Sequence, residues 1–158
     1  MTNRSKKAMD FKNILVPVSG AAADEEAIIL ACRLARQDKA RICAVNIIPI
    51  ERTLPLDAEM VDEVRKAEEI LDRVESIARG QNYSIETDLL QAREAGPTIV
   101  DEAAERGVDL ILMGVEYKRH FGQFSLGSVV PYVLKNAPCR VILYHQYTGD
   151  TQDEEVNI

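Results

Sequence analysis

The sequence predicts an α/β domain: an open parallel sheet with helices packed on both of its faces. Two observations lead there. Along the chain the apolar residues alternate between short runs rich in β-branched side chains, which read as buried strands, and stretches with a period near 3.6, which read as amphipathic helices. The order is strand, helix, strand, helix through to a fifth strand, and such alternation builds parallel sheets through helical crossovers. A length of 158 residues, 46% hydrophobic and 28% charged, suits one domain with a core of its own.

Taken in order, ILVPV (Ile14 to Val18) is the first strand. Residues 24–37, DEEAIILACRLARQ, place Ala27, Ile28, Ala31, Leu34 and Ala35 on one helical face. Asp24 stands where an N-cap would, and Glu25 and Glu26 suit the positive end of the helix dipole. RICAVNII (41–48) is the second strand, and ERTLPLD is a loop. The longest helix follows: Met60, Val64, Ala67, Leu71, Val74 and Ala78 recur at spacings of four and three, and Gly80 supplies a stop. A third strand is expected over 83–91, with Ile85, Thr87 and Leu89 on one face. Gly96-Pro97 opens a third helix that Gly107 ends. DLILM (109–113) is the fourth strand. GVEYKRHFGQFSLGS, Gly114 to Ser128, reads as a long polar loop running into a fourth helix at about 127–136. Pro131 is tolerated in its first turn. Asn136-Ala137-Pro138 breaks that helix, and CRVILYH (139–145) is the fifth strand.

Charge narrows the function classes. The formal net charge is −7, which argues against nucleic acid as the main partner, because phosphate backbones need a basic face. The N-terminal residues 1–11 are basic and the tail 147–158 is acidic; both read as flexible extensions flanking a domain at 12–146. No apolar stretch approaches the roughly 20 residues of a membrane span, and no apolar region follows the basic N-terminus as in a signal peptide. The cytoplasm is the expected compartment. Cys32, Cys43 and Cys139 lie inside apolar patterns without a C-x-x-C pair, so they read as buried thiols. His120 and His145 lack ligand-type neighbours, so no metal site is expected. No catalytic set of serine, histidine and acid is apparent, and no carboxylate is obviously placed as a general base.

In an open α/β sheet a ligand belongs at the C-terminal ends of the strands, where the strand order reverses. The first and fourth strands are expected to flank that point, which brings Pro17, Val18 and Ser19 together with Met113 and Gly114. Gly114 reads either as a bare turn after a buried strand or as a gap for a ligand. Gly127-Ser128 reads either as a helix cap or as a helix start that offers N–H groups to an anion. The loop between them carries Lys118, Arg119 and His120, which suit a solvated loop tip or a polyphosphate, and Phe121 and Phe124, which suit packing on something apolar.

From about Asn13 to His145 the chain resembles the universal stress protein family, most strongly in ILVPV, VDLILMG and LGSVVPYVLKNAPCRVIL. Nucleotide-binding members show G-x2-G-x9-G-[ST]. Gly114, Tyr117, Gly127 and Ser128 keep that spacing, with Tyr117 in place of the second glycine. The resemblance implies a five-stranded parallel sheet of order 3-2-1-4-5, Rossmann-like and similar to the adenine nucleotide alpha hydrolase fold. It implies an adenine nucleotide, ATP or AMP, with Mg²⁺ where it is ATP. The nucleoside would meet Pro17, Val18, Ser19 and the backbone of Ile47. The phosphates would meet Gly114, Tyr117, Gly127, Ser128 and Val129, with Met113 lining the pocket. Ser19 stands where such members carry an aspartate, and a lost charge-assisted hydrogen bond is worth roughly 1.5–3 kcal/mol. A tyrosine forced into a left-handed backbone costs roughly 1–2 kcal/mol. Tyr117→Gly is therefore expected to raise nucleotide affinity if the ring obstructs the site. The family also implies a homodimer through the fifth strand, Cys139 to His145, and at most weak ATP hydrolysis. An alternative is a nucleotide-free dimeric interaction module. LPLDAE and NAPCRVIL resemble members fused to or encoded beside transporters, which makes a transporter a further expected partner.

Overall fold

A computed structural model describes residues 10–116, 118–120, 123–125 and 127–145. For 118–120 and 123–125 the description is of the backbone. The chain runs β1 (Asn13–Pro17), α1 (Ala23–Arg36), β2 (Arg41–Pro49), α2 (Val61–Gly80), β3 (Glu86–Ala92), α3 (Ala95–Glu105), β4 (Leu110–Val115), β5 (Lys118–His120), β6 (Gln123–Ser125), α4 (Val129–Asn136) and β7 (Arg140–His145). Five strands form one parallel sheet in the order β3-β2-β1-β4-β7. Counted along the sheet's own strands, this is the expected 3-2-1-4-5.

The alternation of side chains along each strand sorts the core into two layers. Ile14 and Val16 of β1, Ile42 and Ala44 of β2, and Leu110 and Leu112 of β4 face one side. There they meet Ala27, Ile28, Ala31 and Ala35 of α1 and Leu71, Val74 and Ala78 of α2. Leu15, Val45, Ile111 and Met113 face the other side and meet Ile99 and Ala103 of α3 and Val130 and Val133 of α4. The change of side follows from handedness. The chain moves outward from β1 to β3 and then outward again from β4 to β7 in the opposite direction, and right-handed crossovers in opposite directions put their helices on opposite faces. Phe11, at 4% exposure, already belongs to the core, and Asp109 accepts hydrogen bonds from the N–H groups of Lys12 and Asn13. No helix among the described residues is long and apolar enough to cross a membrane.

Three local expectations need correction. The third strand begins at Glu86, because residues after α2 are used to leave the helix: Asn82 takes φ 57° and the N–H of Tyr83 returns to the carbonyl of Ala78. Residues 114–128 are not all loop. Gly114 and Val115 extend β4, and β5 and β6 form a two-stranded antiparallel ribbon with Arg119 opposite Phe124. Cys32 and Cys43 are buried as expected, but Cys139 is only half-buried because it precedes the edge strand β7.

Candidate functional site

The sheet opens where its order reverses. β1 pairs with β4 at Ile14↔Leu110 and Leu15↔Ile111, whereas β4 continues alongside β7 as far as Val115. Beyond that short ladder lies a cavity of about 440 Å³, a size suited to a small organic ligand. Pro17, Val18 and Ser19 line it from the end of β1, and Val45 to Pro49 from β2. Met113 to Glu116 line it from β4 and the residue after it, and Val129 and Val130 from the start of α4. The walls are largely aliphatic. The charged groups among the described lining residues are Asp24, Glu63, Glu116 and Lys66.

The expected site residues divide accordingly. Pro17, Val18, Ser19, Ile47, Met113, Gly114 and Val129 meet around this one cavity. Gly127 and Ser128 precede α4 and are not in its wall. Tyr117 lies outside the described residues. Ser128 occupies the N-cap position at φ −97°, ψ −23°, and makes no side-chain capping bond. Gly127 has φ +72°, a left-handed conformation that favours glycine.

Of the two alternatives for Gly114, the bare turn is corrected. The glycine lies within β4, paired with Tyr144, and is not a turn. A Cβ there would come 2.7 Å from the carbonyl oxygen of Ala23 and 2.9 Å from its carbonyl carbon. The glycine exists so that the first turn of α1 can lie directly on the strand. That close approach brings Asp24, the second residue of α1, over the end of the sheet.

Asp24 and Asn46 were not recognised as site residues. They are the two buried polar side chains among the described residues, at 5% and 7% exposure, and both line the cavity. Both also hold the chain as it leaves β1. Oδ2 of Asp24 accepts from the N–H of Ser19 at 2.9 Å and of Gly20 at 2.7 Å. The amide of Asn46 donates to the carbonyl of Val18 at 2.9 Å, and the N–H of Val18 donates to Val45. Asp24 is thus not the N-cap; Ala22 stands there, and the carboxylate reaches back to the turn before the helix. Burial pushes the Asp24 carboxyl above its ordinary range, outweighing the hydrogen bonds from the turn that act in the other direction, and the charge of Glu116 adds a smaller upward push. Asn46 could have been found as the one polar residue in the apolar run that follows Arg41 in RICAVNII. Glu63 and Lys66 carry no such signal, because they are exposed positions on the polar side of α2.

A second cavity, of about 460 Å³, lies between α1 and α2 and shares Ser19, Asp24, Lys66 and Ile70 with the first. Gly20, at φ +90°, borders it beneath Ile70. No group of three or more histidine, cysteine or acidic residues able to hold a metal ion occurs among the described residues.

Comparison with known proteins agrees with this architecture. The model of the universal stress protein family matches residues 10–145. A universal stress protein of Methanocaldococcus jannaschii is 31% identical over 139 residues, covering 84% of this chain and 81% of that protein. The structure of a universal stress protein from Archaeoglobus fulgidus in complex with dAMP superposes with a TM-score of 0.68 at 24% identity, covering 85% of this chain and 98% of that one. A universal stress protein family protein from Arabidopsis thaliana with AMP bound gives 0.61 at 13% identity, covering 87% and 93%. The two solved structures, each holding an adenine nucleotide, share the fold of this chain. With the family model spanning the whole described sheet, the chain belongs to the universal stress protein family.

Proposed function

We propose that this chain is a regulatory domain of the stress response that binds an adenine nucleotide in the cavity between the ends of β1 and β4. The observation that carries the reading is the convergence of Pro17 to Ser19, Ile47, Met113, Gly114 and Val129 on one cavity of ligand size at the reversal of strand order. The aliphatic walls suit a planar base, and the hydroxyl of Ser19 and the amide of Asn46 suit a ribose or ring nitrogen. The base and ribose lie against Pro17, Val18, Ser19 and the backbone of Ile47. The phosphates run toward Gly114, Tyr117 and the start of α4 at Gly127, Ser128 and Val129, where no serine cap closes the helix. The ligand is AMP, or ATP with its own Mg²⁺, and the domain acts in the cytoplasm by binding, with at most weak hydrolysis. It works as a homodimer through β7, which is the sheet edge and leaves Val141 to Tyr144 half-exposed.

Melting of the purified protein with AMP, and with ATP and Mg²⁺, tests the reading. A ligand at 100 times its dissociation constant adds about 2.7 kcal/mol to stability. A melting temperature that moves with neither nucleotide overturns it, and steady phosphate release would make the domain an ATPase instead.

A second reading, an interaction module, is favoured by one observation. Leu54, Leu56 and Val61 are exposed at 39%, 52% and 73%, clustered where β2 passes into α2. In that case the chain is a nucleotide-free dimer that binds a protein partner, such as a transporter, through this connection; pull-down is abolished by Leu56→Asp, and neither AMP nor ATP shifts the melting temperature.

A further inference from the structure

The turn between β1 and α1 has the makings of an anion site. Two successive N–H groups, of Ser19 and Gly20, point to one spot beside the first turn of a helix of 14 residues, and such turns hold phosphates in many α/β proteins. Here the spot is taken. A single oxygen of Asp24 accepts both bonds, and the side chain is buried at 5% exposure between two cavities that it helps to line. Among the described residues, the remaining charges of the first cavity, Glu63 and Glu116 against Lys66, do not reverse the sign it sets.

We propose that Asp24 is a specificity-determining residue: it fills the anion-binding turn with the protein's own carboxylate, so that the β1 end of the cavity excludes the anionic groups of a ligand. This rests on the nucleotide reading for the identity of the ligand, but the occupied turn does not. A nucleoside meets the β1 end without penalty. A phosphate cannot approach Ser19 and Gly20 by their N–H groups and is repelled by the carboxylate, so phosphates are confined to the β4–α4 side, and each added phosphate gains less than it would opposite a neutral turn.

Asp24→Asn separates charge from geometry. One amide oxygen keeps both hydrogen bonds and the negative charge is gone. Calorimetry with adenosine, AMP and ATP should find adenosine affinity within about twofold of the wild type and the ratio of ATP to adenosine affinity raised severalfold; an unchanged ratio overturns the proposal. Two readouts on the unliganded wild type decide it even if no nucleotide binds, an outcome that would sink the proposed function alone. The amides of Ser19 and Gly20, both on exposed residues, should exchange with solvent at least about tenfold more slowly than free peptide, because they are bonded. They should also keep their chemical shifts as inorganic phosphate is titrated in. Unprotected amides, or shifts that saturate with phosphate, would show the turn open and overturn the proposal.

Discussion

Replacing Gly114 by alanine probes the contact on which the site is built. The added Cβ would lie 2.7 Å from the carbonyl oxygen of Ala23 and 3.0 Å from its Cβ, where ordinary contact begins near 3.4 Å. The first turn of α1 would have to retreat by 3.4 − 2.7 = 0.7 Å. It cannot do so freely, because Ala23, Ala27 and Ile28 are 0–1% exposed, and Ala27 and Ile28 belong to the same core cluster as the side chains of β1 and β4. Overpacking of this kind costs about 1–3 kcal/mol, against about 0.5–1 kcal/mol that alanine regains over glycine within a strand. The net expectation is a loss of up to about 2.5 kcal/mol, or a fall in melting temperature of up to about 10 °C for a domain of this size. Urea denaturation measures the free energy directly. Gly80→Ala is the control. It ends α2 with nothing within 4 Å of the new methyl group, so it should be neutral or stabilise by up to about 1 kcal/mol. If Gly114→Ala proved as stable as Gly80→Ala, the close packing of α1 on β4 would not be what the glycine serves.

Two further outcomes follow from the same geometry. Burial raises the carboxyl of Asp24 above its unfolded value of 3.8. The folded state therefore holds that proton more tightly than the unfolded state; the resulting stability is complete below pH 3.8 and is lost as pH rises through the folded value. Asp24→Asn, which never bears the charge, should exceed the wild type in stability at pH 7, and the gap should close toward pH 3.8; a gap that stays constant with pH would mean that the carboxylate carries no burial penalty. At the other edge of the sheet, Val141→Lys puts a charge on the half-buried face of β7, and light scattering should report monomers. A dimer that survives this change would locate the interface away from β7.

Much of this protein was legible in the chain itself. Strands buried on both faces must be apolar throughout, and helices lying on a sheet must be apolar on one side, so ILVPV, DLILM and the face from Ala67 to Ala78 announced their elements. Alternation of those elements left few topologies, and the spacing of Gly114, Gly127 and Ser128 brought the family into view. The same pattern brought Pro17, Val18, Ser19 and Met113 to one edge, since a parallel sheet puts the ends of its strands together.

What the chain could not disclose are the contacts between residues that lie far apart along it or that play an unusual local part. The chain alone leaves Gly114 between a turn and a ligand gap because the contact it makes room for, the backbone of Ala23, lies about ninety positions earlier. Asp24 looked like a cap because acidic residues at helix starts usually are caps; only the close seating of α1 on β4 turned its carboxylate back onto Ser19 and Gly20. Lys66 and Glu63 are exposed residues of α2 that nothing local marks, yet the folded chain places them at the cavity. Local patterning fixes which faces are buried, because burial is a property of each element's own period. The charge and shape of the cavity were decided by tertiary structure alone, because they depend on how those elements meet.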